Sequence, residues 1–218
     1  MDIWLASYPR SGNTFLRIVL NSVFGLRSTS VYDGETKVYD EFADVSKLVG
    51  HYEQNSLDSE AVSQRQTLRL VKTHGVPMDA SPSIYIVRDG RMACVSYFHF
   101  LRSFVNENIT VEDIIVGKQW PGSWSQHVQS WCPTKRQSTL LIRYEDLRDE
   151  NEKTCLRISQ FLGTSPLKDF NVAFSELQRM NPKFFREGND KKSREEFQPF
   201  NDVFMEHHGA AMSELGYV

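Results

Sequence analysis

The sequence predicts an α/β fold, a P-loop-like parallel β-sheet with helices on both faces. Three observations carry this. Short apolar runs alternate with segments of helical periodicity, the order expected of repeated strand–helix–strand units. The runs are continuously apolar, as strands covered on both sides must be. Each run also ends in polar and charged residues, at the carboxyl ends where open α/β sheets hold their ligands. With 218 residues, 40% of them hydrophobic and 24% charged, one domain over 1–218 is expected, with a core that needs no staple.

Ile3–Ser7 is the first strand, stopped by Tyr8-Pro9. Phe15, Leu16, Val19, Leu20 and Val23 then fall at helical spacing, and Gly25 closes that helix. Residues 30–66 are acidic and weakly periodic, which predicts loops and short helices over one end of the sheet. Leu68–Val71 and Ile84–Val87 are the next strands, the latter followed by a helix with Cys94, Val95, Phe98 and Leu101 on one face. Thr110 and Asp113 have the spacing of a capping box. Leu140–Arg143 is the fourth strand, and the helix bearing Cys155, Ile158, Phe161 and Leu162 stops at Gly163. A helix near 170–180, a charged loop over 183–196 and a C-terminal helix to about Leu215 complete the prediction.

Several function classes are disfavoured. A net charge of −3 provides no basic field for nucleic acid or an anionic membrane. Cys94, Cys132 and Cys155 are an odd number at wide spacing, so neither a disulfide framework nor a zinc site is suggested. The first residues lack a basic n-region and a sufficient apolar run, and no stretch approaches the ~18 apolar residues of a membrane span. A cytoplasmic location is the default expectation.

Any chemistry must therefore be local, and four clusters at strand ends supply it. Tyr8 to Thr14 lies between a strand and a helix, where backbone N–H groups and the helix dipole favour an anion. Arg10 adds a charge, Ser11 and Thr14 add hydroxyl donors, and Gly12 permits close backbone approach. It is not a Walker A loop, because Asn13 stands where that motif has lysine. Lys72 and His74 offer a cation and a base of near-neutral pKa. The other five histidines read as structural, with His207-His208 on a surface helix. Arg88 and Ser96 grip one anion only if the helix carrying Ser96 packs across the strand tip. Tyr144-Glu145-Asp146 ends the fourth strand. Taken singly, each cluster also fits an ordinary turn.

Together these residues carry a pattern that resembles the PAPS-dependent sulfotransferase family, whose donor is 3′-phosphoadenosine 5′-phosphosulfate (PAPS). Tyr8-Pro9-Arg10-Ser11-Gly12-Asn13-Thr14-Phe15 resembles the 5′-phosphosulfate loop YPKSGTTW, and Lys72-Thr73-His74 the KTH segment. Arg88 through Ser96 and Tyr97-Phe98-His99-Phe100 resembles the 3′-phosphate segment RNPKDVAVSYYHF. Gly122-Ser123-Trp124 with His127-Val128 and Trp131 resembles GSWxxHVxxW, and Tyr144-Glu145-Asp146-Leu147 followed by Phe161-Leu162-Gly163 matches YEDL…FLG.

The resemblance implies a sulfotransferase fold and transfer of a sulfuryl group to a hydroxyl or amine of a small-molecule acceptor, with PAP (the desulfated donor) released and no metal required. It implies that Arg10, Ser11, Gly12, Asn13 and Thr14 hold the 5′-phosphate, and that Phe15 and Tyr144 meet adenine. Arg88 and Ser96 would bind the 3′-phosphate under a cover from Arg186, Glu187 and Gly188. His74 would be the base, with Lys72 and Arg10 balancing charge. Three positions depart from the pattern. Arg10 replaces lysine and will not readily donate a proton, Phe15 replaces tryptophan, and Glu187 sets an acid beside the expected 3′-phosphate. The rival readings are a P-loop kinase or NTPase, which would need Mg²⁺ at a Walker B-like acid, and a non-catalytic nucleotide-binding module.

Overall fold

The computed structural model describes residues 1–32, 43–53, 62, 66–104, 108–169, 177, 179 and 190–218. Its sheet has five parallel strands in the order β2-β3-β1-β4-β5. These are β1 (Asp2–Ala6), β2 (Ser28–Ser30), β3 (Arg69–Thr73), β4 (Ser83–Val87) and β5 (Thr139–Arg143). The chain leaves β1 toward β2 and β3 on one side, then crosses to β4 and β5 on the other. The carboxyl end of β1 is thus the switch point at which such sheets open a crevice.

Side chains alternate between two cores. Ile3, Leu5, Leu70, Ile84, Ile86 and Ile142 face α1 (Asn13–Phe24) and a helix over Asn151–Leu162. Trp4, Ala6, Val71, Tyr85 and Val87 face α3 (Gly90–Phe104), α5 (Trp124–Trp131) and α9 (Asn201–Glu214). Between these lie α2 (Ala43–Val49), α4 (Val111–Ile115), α6 (Tyr144–Asp149), α7 (the Asn151–Leu162 helix) and α8 (Asp190–Phe197). Thr110 and Asp113 form the expected capping box. Ser123 and Gln126 form another at the start of α5, so the Ser of the GSW motif is a helix cap. No helix among the described residues is long and apolar enough to cross a membrane.

Four expectations need correction. β2 had no counterpart in the sequence reading, because Ser28-Thr29-Ser30 is not apolar. Its side chains are nonetheless buried, and Arg17 of α1, itself fully buried, donates to Ser28 Oγ at 2.8 Å and engages His51 Nδ1 at 2.9 Å. β3 runs through Lys72 to Thr73 instead of stopping at Val71, because pairing with β1 extends to Ala6 opposite Thr73. The segment 190–197, expected as part of a charged loop, is helical and packs on α3. The helix expected near 170–180 lies outside the described residues apart from 177 and 179.

The fourth concerns His208, which is 1% exposed. Its ring lies between Trp124 and Phe204, donating through Nε2 to Ile115 O at 3.0 Å and meeting Ser125 Oγ through Nδ1 at 2.8 Å. His127, 2% exposed, meets Tyr85 OH through Nδ1 at 2.8 Å. Burial pushes both rings down to about 4, from the usual value of about 6.5. The unfolded chain therefore binds more protons than the folded one across that interval. The stability these rings contribute is complete above the unfolded value and is lost as pH falls toward 4. Thermal melts should show Tm falling from about pH 6.5 downward as stability is lost, with His127 alone contributing about 3 kcal/mol to that loss of stability. His208→Gln should flatten the decline, and an unchanged slope in that variant would assign the loss to other groups.

Candidate active site

β1 ends at Ala6 and α1 begins at Asn13. The turn between them uses two left-handed residues, Arg10 (φ 64°) and Gly12 (φ 100°). At Gly12 a Cβ would come within 2.5 Å of Tyr144 Cδ2 and 3.3 Å of Ile86 Cδ1, so glycine is required for space as well as for φ. α1 carries no side-chain cap and no acid in its first turn, which leaves its N-terminal N–H groups and positive dipole end facing the turn. Ser11 is fully buried, and its hydroxyl finds no partner among the described residues. Thr14 is half-buried. The Asn13 amide faces inward, donating to Leu5 O at 2.9 Å and to Ser7 Oγ at 3.2 Å. It thereby ties the turn to β1.

His74 follows β3, and its Nδ1 lies 2.8 Å from Ser7 O. A carbonyl only accepts, so Nδ1 carries the proton and the basic lone pair belongs to Nε2. Ser7 Oγ lies 3.1 Å from the same nitrogen and accepts from Asn13. The histidine and the phosphate-loop residues are thus linked through one serine. Tyr32 stacks on the His74 ring at 6.3 Å and accepts from the His74 backbone N–H at 2.7 Å. Trp120 meets Tyr32 edge-on at 5.6 Å, and Lys72 Nζ lies 5.7 Å from the Tyr32 ring centre. Trp131, 1% exposed, donates to Gly75 O at 2.9 Å and braces the turn from behind.

α3 does pack across the strand tips. Arg10 Nε donates to Ser96 Oγ at 3.3 Å, and Arg88 Nη1 donates to Arg10 O at 3.4 Å. The Arg10 guanidinium lies over Phe100 at 5.3 Å and that of Arg88 over Tyr144 at 4.8 Å. Phe15 meets Tyr144 edge-on at 6.2 Å. At 4% and 5% exposure, little of either ring faces outward. Tyr97 and Phe98 belong to the core, and Phe100 packs against it. Arg186, Glu187 and Gly188 lie outside the described residues.

The structure therefore brings Arg10, Ser96 and Arg88 together on one side of the turn, and His74 with Ser7 on the other. Sequence reasoning did not single out Ser7, which is hidden within a strand, or Tyr32, which stands at the edge of an acidic segment. Trp131 had a signal in its motif, but its contact with the His74 turn did not. Among the described residues, no three His, Cys, Asp or Glu side chains gather closely enough to hold a metal ion.

Comparisons with known proteins agree with the fold. The profile of the sulfotransferase domain matches residues 1–216. Rat sulfotransferase 1E1 is 24% identical over 207 residues, covering 83% of this chain and 67% of its own length. Mouse sulfotransferase 1B1 is 29% identical over 177 residues, covering 74% and 58%. The chain thus spans about two thirds or less of the length of these relatives. Mouse sulfotransferase SULT7A1 complexed with PAP superposes with a TM-score of 0.64 at 22% identity, covering 99% of this chain and 88% of that one. Retinol dehydratase in a complex with retinol and PAP superposes with a TM-score of 0.58 at 18% identity, covering 94% and 81%.

Proposed function

Because the chain belongs to the sulfotransferase domain family, we propose that residues 1–218 act as one domain that transfers the sulfuryl group of PAPS to a hydroxyl or amine of a small acceptor. The observation that carries this reading is the link between the turn and the base. Asn13 donates to Ser7 Oγ, and Ser7 holds His74 Nδ1, so a donor anchored at α1 and a proton acceptor at β3 keep a fixed separation.

The residues present fit the donor. Gly12 leaves a cradle that a side chain would fill, Ser11 has a hydroxyl without a partner among the described residues, and Arg10, Arg88 and Ser96 converge. When bound, PAPS supplies the group to be moved and a phosphate as the leaving side. The 10–14 turn would take the 5′-phosphate on backbone N–H groups and hydroxyls. Arg88 and Ser96 would take the 3′-phosphate, covered by Arg186 to Gly188, and the rim of Phe15 and Tyr144 would meet adenine. His74 Nε2 removes the acceptor proton, with Nδ1–H held on Ser7 O. Lys72 and Arg10 balance charge as it moves to the leaving phosphate, and Arg10 does so without giving up a proton. An in-line displacement would draw its rate from positioning and electrostatics, which these residues would supply. Tyr32 stacks on His74, and Trp120, 54% exposed, meets Tyr32 edge-on; this pair of rings favours an acceptor with a flat apolar part.

Calorimetric titration with PAP, and separately with ATP, each with and without Mg²⁺, tests the donor. PAP is expected to bind without metal, and Arg88→Ala to weaken it at least ~10-fold through loss of charge-assisted hydrogen bonds. Mg²⁺-dependent ATP binding with no response to PAP would overturn the reading in favour of phosphoryl transfer.

A further inference from the structure

The end of the chain returns to the donor side of the sheet. Tyr217 OH donates to Glu145 Oε2 at 2.9 Å, and the Asp89 backbone N–H donates to Glu145 Oε1 at 3.1 Å. Both carboxylate oxygens of one residue are thus committed, one to the C-terminal segment and one to the turn after β4. Glu145 directly follows Tyr144, and Asp89 directly follows Arg88. Asp89 also receives Arg91 on both oxygens, at 2.9 and 2.7 Å, and the Arg91 backbone N–H at 3.0 Å, which fixes the start of α3, the helix that carries Ser96. Arg143 lies over the Tyr217 ring at 4.6 Å and donates to Leu215 O, holding the terminal segment against β5. Burial, and then the neighbouring Glu145 carboxylate, keep the Tyr217 phenol well above its ordinary pKa, so it remains a donor.

We propose that Tyr217, acting through Glu145, is a positioning residue for the donor. The ladder between β4 and β5 runs to Val87 opposite Arg143, and beyond it the bridge Tyr217–Glu145–Asp89 ties the turn after β4 to the start of α6, and with them the placement of Arg88 and Tyr144. This rests on the reading of Arg88 as a donor ligand. Nothing in core packing demands the bridge, because it walls a cleft of about 520 Å³ lined also by Arg91, Arg194 and Asn201. Removing one hydroxyl therefore leaves the cores intact and releases the carboxylate that spans the two strand ends.

The test measures PAP affinity and steady-state kinetics for the wild type, Tyr217→Phe, Glu145→Gln, Arg88→Ala and the Tyr217→Phe/Arg88→Ala double variant. Tyr217→Phe is expected to raise the PAP Kd and the donor KM about three- to ten-fold, the net weight of one ordinary hydrogen bond, with kcat and acceptor KM within about twofold. In the Arg88→Ala background the same change should have a clearly smaller effect, because the part that passes through Arg88 is already lost. Glu145→Gln should reproduce the donor effect, and it carries the test alone if Tyr217→Phe does not fold. A wild type that binds PAP, with Tyr217→Phe and Glu145→Gln unchanged in donor KM, overturns the positioning role and leaves the donor reading standing. So does a fall in kcat alone, or full additivity in the double variant. A wild type with no PAP affinity overturns both.

Discussion

His74→Ala is expected to slow sulfuryl transfer about 10²–10⁴-fold, the range typical of a lost general base, while PAP affinity changes by less than ~3-fold. The two parts separate because His74 reaches the phosphate turn only through Ser7, and Asn13 still ties that turn to Leu5 O without the imidazole. Bonding fixes the tautomer that the proposed base would use. A ring nitrogen 2.8 Å from Ser7 O must carry the proton, so Nε2 is the acceptor site. Initial rates with a phenolic acceptor, measured beside calorimetry with PAP, provide the check. Unimpaired transfer in His74→Ala would remove His74 from the chemistry, and a parallel collapse of PAP binding would make it a structural prop.

Arg17→Met is expected to cost about 3–5 kcal/mol of stability, as loss of one side of a buried polar network does, and to lower Tm by roughly 10 °C for a chain of this size. Arg17 is fully buried, donates to Ser28 Oγ at 2.8 Å and meets His51 Nδ1 at 2.9 Å. Methionine would fill much of the volume and strand those buried polar atoms without a donor. The loss should fall on β2, the edge strand beside β3, and through it on Tyr32, two residues beyond β2 and stacked on His74. Hydrogen exchange should show opening concentrated at 28–32. A melting temperature within ~2 °C of the wild type would mean that the pocket reorganises around the substitution.

The legible parts of this molecule share a property. Four strands announced themselves because each is apolar enough to be buried on both faces, and the Thr110–Asp113 cap followed from spacing alone. β2 is Ser-Thr-Ser and escaped notice, since nothing in its composition distinguishes a buried polar strand from a loop. Asp190–Phe197 is charged almost throughout and forms a helix by packing on α3. His208 looked like half of a surface pair, yet its turn of α9 faces Trp124 and Ser125.

The candidate site divides along the same line. Residue types and their order along the chain singled out Arg10–Phe15, Lys72, His74, Arg88 and Tyr144 as candidates, because each motif is contiguous and stands at a strand end, and added Ser96 from the helix that follows Arg88. Fold class and family were thus readable from the chain alone, as were the candidate side chains, because all of these depend on local pattern and order. Only the tertiary structure decided that Arg10 reaches Ser96, that Ser7 orients His74, and that Tyr217 bridges to Glu145 across 72 residues. Those pairings depend on strand order, register and the way α3 crosses the strand tips, and such long-range geometry leaves no periodic trace in the chain.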